Sequence, residues 1–229
     1  MHKLVHHPLC PFSRSIRLAL AECAIIVELQ EERPYAWRKP FLEINPAGTL
    51  PVLVLDGGAA ICGVYAVSEY LAETAGDAAS PARNTLFPGS AEERAEIRRL
   101  IDWFHGKFHD EVSQYLLDEK LFGVFSRQTG ITDPSLFRAG RENLRYHLAY
   151  VSFLAEERRW LGGQHLSYAD FAAGGHISAL DYLGEVPWED FPAAADWYAR
   201  LKSRPSFRGL LADRVPGLPP ATAYANLDF

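Results

Sequence analysis

The chain has 229 residues, a net charge of -6 and an isoelectric point near 5.8, with 48% hydrophobic and 23% charged residues. These fractions exclude disordered and fibrous classes, and the length fits one large domain or two small ones. No long basic run is present, which argues against duplex nucleic acid or an anionic membrane as a partner.

The first 75 residues alternate short apolar runs with helical stretches. Leu4-Val5 is a short strand, and Ser13 to Cys23 follows with Ile16, Leu20 and Cys23 at helical spacing. Val27 and Leu29 alternate with Glu28 and Gln30, which predicts a half-buried strand. Val52 to Leu55 is a fully apolar strand, turned by Asp56-Gly57-Gly58 into Ala59-Ala60-Ile61. Val67, Tyr70 and Leu71 open a helix ending near Gly76. This order predicts a small mixed sheet with helices packed on it.

A linker lies within residues 76–89 by composition and is set at 79–88, dividing the chain into 1–78 and 89–229. Beyond it every element is helical. Ser90 with Glu93 makes a capping box, and Ile97, Leu100, Ile101 and Phe104 continue a core stripe. Arg141 to Trp160 carries Leu144, Leu148, Val151 and Leu154 at similar spacing. Ser167 and Asp170 form a second capping box, the Ser167 hydroxyl accepting from the Asp170 amide. Leu166 and Phe171 are its hydrophobic staple. The odd, widely spaced set Cys10, Cys23 and Cys62 is no disulfide framework and fits a reducing cytosol. The opening residues Met1 to Pro8 lack the apolar region of a signal peptide. No stretch reaches the ~18 apolar residues of a membrane helix, so a cytoplasmic protein is expected.

Three segments coincide in order: Cys10-Pro11-Phe12-Ser13 opening the first helix, Asn45-Pro46-Ala47-Gly48-Thr49-Leu50-Pro51-Val52-Leu53 before the third strand, and the Ser167–Asp170 cap within the helical half. With Leu86-Phe87-Pro88 and Arg204-Pro205-Ser206-Phe207, the chain resembles the cytosolic glutathione S-transferase superfamily almost end to end. The resemblance implies a thioredoxin-like amino-terminal α/β domain with a mixed four-stranded sheet, followed by an all-α carboxyl-terminal domain. It also implies a homodimer, glutathione as co-substrate, a small electrophile as second substrate, and a cis Leu50-Pro51 peptide. That peptide would expose the Leu50 backbone to pair with glutathione like an added strand.

Such enzymes hold the glutathione thiolate at the end of the first strand. Here His6, Cys10 and Ser13 are the catalytic candidates; His6 and His7 flank the cleft by position and either is a candidate proton donor, with surface as the other reading of His7, which precedes Pro8. The Cys-Pro-Phe setting looks like omega-type and glutaredoxin-like members, which favour mixed-disulfide chemistry, and Ser13 stands where a resolving cysteine would be. A partly exposed Cys10 before a helix is expected to have a lowered pKa. A small buried residue at a tight turn is the other reading of Cys10. Cys23 and Cys62 read as packing.

One departure stands out. Members carry Glu-Ser, Asp-Ser or Gln-Ser before the third helix to grip the γ-glutamyl group, and the equivalent residues here are Gly63-Val64. Loss of a charge-assisted bond, often worth ~1.5–3 kcal/mol, predicts glutathione affinity weaker by one to two orders of magnitude. Arg38 and Lys39 stand where members place a basic residue for the glycyl carboxylate; a solvated basic pair is the alternative. His105 and His109 have metal-ligand spacing without an evident third ligand, so no metal is expected. Trp103, Phe104, Phe108 and Tyr115 are candidates for an apolar acceptor pocket, or for core. The tail, with Tyr224, Leu227, Asp228 and Phe229, has spaced apolar anchors and one acid. Together with Trp37 and the missing Glu-Ser pair it resembles the alphaproteobacterial FtsZ-binding, GST-like division proteins. That likeness implies a non-catalytic scaffold with FtsZ as partner, or else a tail folded across its own domain.

Overall fold

Four short strands make one mixed sheet: β1 (Lys3–His6), β2 (Glu28–Glu31), β3 (Val52–Val54) and β4 (Ala60–Cys62), in the spatial order β2-β1-β3-β4. The computed structural model describes residues 1–75, 86–125 and 134–226; the linker stretch 76–85 and the tail residues Leu227, Asp228 and Phe229 lie outside the described residues. Strand β1 pairs parallel with β2, Leu4 opposite Leu29, and antiparallel with β3, Leu4 opposite Leu53. The period-2 alternation of a strand decides what each face buries. Leu4 and Leu53 enter the main core, while Val5 and Val52 turn to the other face and pack with Phe41 and Leu50. The β3–β4 hairpin closes at Asp56-Gly57-Gly58, where Gly58 takes φ +87 and the Leu55 amide reaches the Ala59 carbonyl at 2.8 Å. This sheet with its helices is the expected thioredoxin-like domain.

Among the described residues, three α-helices belong to this half: α1 (Pro11–Glu22), α2 (Lys39–Ile44) and α3 (Val64–Thr74). Pro11 sits in the first turn of α1, where a missing N–H is harmless and φ is already helical. The second half comprises α4 (Ala91–Asp102), an eleven-residue π-helical stretch (Trp103–Ser113), α5 (Gln114–Phe125), α6 (Pro134–Glu157), α7 (Tyr168–Tyr182), α8 (Pro192–Lys202) and α9 (Arg208–Leu211). The Ser90–Glu93 capping box opens α4 as expected. Helix α6 begins seven residues before Arg141, because its first turns leave Leu136 exposed and show no core stripe.

Helix α7 is the axis of the molecule, buried at all fifteen positions. Its start is fixed by Asp170, whose carboxylate accepts from the amides of Ser167 (3.0 Å) and Leu161 (2.8 Å) and from the Trp197 indole (2.9 Å). The expected Ser167–Asp170 capping box is present, and the Ser167 hydroxyl also lies 3.2 Å from that carboxylate. Helices α1 and α7 cross in direct contact at Gly175, where a Cβ would lie 2.5 Å from the Pro11 carbonyl oxygen and 2.8 Å from the Ser15 nitrogen. No helix among the described residues is long and apolar enough to cross a membrane.

Candidate functional site

Helix α1 begins where β1 ends, and this junction faces the helical half across a cavity of about 490 Å³. The β1–α1 connection supplies His7, Leu9, Cys10, Pro11 and Phe12; the segment between β2 and β3 supplies Tyr35, Trp37 and Gly48-Thr49-Leu50. The opposite wall is His109 and Ser113 from the π stretch with Gln114, Leu117 and Leu121 from α5. The Leu50-Pro51 peptide is cis, and Leu50 meets Cys10 in one cavity. No Asp, Glu, Lys or Arg is among the described residues lining it.

Trp37 stands at the lip, 66% exposed and with φ +47, a backbone region non-glycine residues seldom occupy. Its ring lies over Gly48, where a Cβ would sit 3.1 Å from the Trp37 Cζ3 atom. Glycine at 48 is therefore demanded twice, by that close approach and by its own φ of +65.

Cys10 is the N-cap of α1, half-buried, with no side-chain capping bond. Desolvation raises its thiol pKa, outweighing hydrogen bonding from Ser13 and Phe12 and the charge of Arg14. This corrects the expected lowering: the helix start and a buried cation are present, but burial wins. Ser13 is wholly buried and off the cavity wall. His6 is also buried and off the wall, its Nδ1 without a partner, and burial with the charge of Arg17 lowers its pKa to about 4. His7 is not a surface residue. It is 4% exposed and lines the cavity, its Nδ1 accepts from the Leu9 amide at 3.3 Å, and burial with the charge of Arg33 lowers its pKa to about 4.

The basic candidates stand elsewhere. Arg38 bridges the buried Glu32 with two nitrogens, at 3.0 and 2.5 Å, and Lys39 is 88% exposed, 4.0 Å from Glu43. Neither lines the cavity. Gly63 caps α3 with φ +91 and Val64 turns into the core, so the two residues in place of the Glu-Ser pair bring no polar side-chain atom. The proposed acceptor aromatics do not line the cavity either. Phe104 and Phe108 are fully buried in the core; Trp103 packs on Tyr150 and donates to His147 Nδ1 at 3.1 Å; Tyr115 lies off the wall. The physical reason is helix phase: the 104, 108, 112, 116 row faces the core, and the adjacent 109, 113, 117, 121 row faces the cleft. His105 turns inward, its Nδ1 3.1 Å from His176 Nε2, whereas His109 stays at the wall against Phe12.

Cys62 lies 3.7 Å from the Ile44 carbonyl, and Cys23 packs against the main core. The body of the tail is docked: Tyr224 is fully buried, and its hydroxyl bonds Arg14 and donates to the Leu210 carbonyl at 3.0 Å. Arg14, itself wholly buried, also reaches Ser178 Oγ (2.8 Å), the Pro8 carbonyl (2.7 Å) and Asp213 (3.2 Å).

Residues 9–74 match the family model for the glutathione S-transferase N-terminal domain, and residues 136–205 match that for its C-terminal domain. The chain is 46% identical over 232 residues to FtsZ-localized protein A of Caulobacter vibrioides, covering 99% of this chain and 97% of that one. Among solved structures, a glutathione S-transferase from Sinorhizobium meliloti 1021 superposes with a TM-score of 0.94 at 48% identity, covering all of both chains. FzlA from C. crescentus superposes at 0.93 with 44% identity, covering 100% of this chain and 99% of that one.

Proposed function

The chain belongs to the glutathione S-transferase superfamily, and from that premise we propose that it is a division-associated scaffold that works with FtsZ and keeps the family's cleft without its grip on glutathione. The observation that carries this reading is a cleft wall with no charged side chain among the described residues. Glutathione has two carboxylates and an ammonium, and each must trade its hydration for a partner of comparable strength. Arg38 is spent on Glu32, Gly63-Val64 offers no side-chain acceptor, and both cleft imidazoles are pushed toward their neutral form. The relative named for its localisation with FtsZ supports the partner. In this reading Trp37 and the tail residues Leu227, Asp228 and Phe229 contact FtsZ, the location is cytoplasmic, and two chains form a homodimer. Co-sedimentation with FtsZ polymers tests it: the full chain pellets with the polymers, and the chain shortened by residues 225–229 stays in the supernatant. A full-length chain that never pellets above its polymer-free control would contradict the proposal.

A second reading, glutathione-dependent thiol transfer, is favoured by one observation: Cys10 shares its cavity with the Leu50 end of the cis peptide. Thiol transfer that is measurable and disappears in Cys10→Ala would support it.

A further inference from the structure

The turn that carries Cys10 has two sides, and the end of the chain is packed against one of them. His7, Leu9 and Cys10 line the cleft, and the turn closes where the Cys10 amide donates to the His7 carbonyl at 3.0 Å. From behind, Leu9 packs with Tyr182, Val215 and Tyr224 in a small core of its own, and Leu121, from the opposite wall of the cleft, packs against the same cluster. Leu9 thus belongs to the cleft wall and to the seat of the tail at once. The polar contacts follow the same line. The wholly buried Arg14 guanidinium donates to the Pro8 carbonyl at 2.7 Å and to the Tyr224 hydroxyl, which in turn donates to the Leu210 carbonyl at 3.0 Å. Tyr182, the last residue of α7, accepts the Val215 amide on its hydroxyl (3.0 Å) and the Ala221 amide on its carbonyl (2.8 Å). We infer that segment 221–226 is a brace for the cleft: docked, it holds turn 7–10 in place and shields the Cys10 thiol; withdrawn, it releases the turn and opens the cleft to solvent.

The argument is about which groups lose partners together. Withdrawing Tyr224 leaves a void behind Leu9 and takes a partner from a buried cation, and both costs are relieved by movement of the turn. The brace is also the piece that can move. It ends the chain, where order depends on being tied down, whereas Arg14 is fixed to α7 through Ser178 at 2.8 Å and to Asp213 at 3.2 Å. Segments of low local stability open as units with the neighbours they support. The brace itself stands on this geometry. That a partner withdraws it rests on the scaffold reading, in which FtsZ engages the residues next to Tyr224; tail engagement and cleft opening are then coupled in both directions.

The rate of Cys10 alkylation in a Cys23→Ala/Cys62→Ala background tests the inference. Tyr224→Phe should raise the rate about tenfold or more, the factor released by one charge-assisted bond, and the chain ended after Pro220 should react faster still. Asp170→Asn, which weakens the far end of α7, should leave the rate unchanged. One measurement needs no variant: in native-state hydrogen exchange at low urea, the Cys10 and Ala221 amides should merge into a single opening that lies below global unfolding. Alkylation indifferent to both Tyr224→Phe and the shortening, equal acceleration by Asp170→Asn, or separate openings for the two amides would overturn the inference. FtsZ polymers should accelerate alkylation of the full chain; acceleration by the shortening but not by FtsZ would count against the functional reading alone.

Discussion

Cys10 and Asp170 show how burial decides chemistry one residue at a time. Cys10 stands at a helix start, and the residue pattern alone argues for an activated thiolate; the fold raises its pKa instead. In a Cys23→Ala/Cys62→Ala background, the rate of alkylation against pH should therefore show a midpoint above the ordinary value of 9.0; a midpoint well below it would restore the activated-thiolate view. Asp170 is pushed up to about 6 by burial despite its donors. The sign follows from proton binding: between 3.8 and about 6 the folded state holds a proton that the unfolded state has lost, so this group lowers stability as pH rises through that window. Asp170→Asn, which sets an amide against the Ser167 donors, should destabilise by about 1–3 kcal/mol. That deficit should shrink between pH 4 and pH 7 in urea unfolding; a deficit that grows would reverse the assignment. The position of Cys10 is legible in the sequence; its protonation is not, because desolvation depends on the distant Leu50, Leu117 and Leu121 that line the same cavity and not only on neighbours in the chain.

Elements with local signals were readable in the same way. The Ser90–Glu93 box and the Ser167–Asp170 pair announced two helix starts, since their groups lie within three residues of each other. The π stretch carried no such signal. It joins α4 and α5 without a break, and with it the cleft-facing row 109, 113, 117, 121 went unread in favour of aromatics that belong to the core. The contact of α1 with α7 was hidden too, because it depends on a glycine unremarkable in sequence. Gly175→Ala would drive a methyl into backbone atoms of α1, so a loss of about 1–3 kcal/mol is expected. Chemical unfolding would check it, and an unchanged midpoint would show that the helices stand farther apart.

At the scale of the whole molecule, the end of the chain is tied to the start of the cleft. Tyr224 bonds Arg14, and Arg14 holds the Pro8 carbonyl at 2.7 Å, one residue before the cavity-lining Leu9. Tyr224→Phe leaves a buried guanidinium short of a partner and should destabilise by about 1–3 kcal/mol in thermal or urea unfolding; a neutral result would mean that the docked segment carries no stability. The two-part fold was legible because its motifs are spread along the whole chain, whereas the neutrality of the cleft emerges only when Arg38 is found bound to Glu32 and Val64 turned inward. That neutrality is the central claim. Its most direct measurement is isothermal titration of the full chain with reduced glutathione at neutral pH. We predict a dissociation constant weaker than about 1 mM; saturable binding at about 0.1 mM or tighter, ~5.5 kcal/mol of affinity or more, would contradict the account.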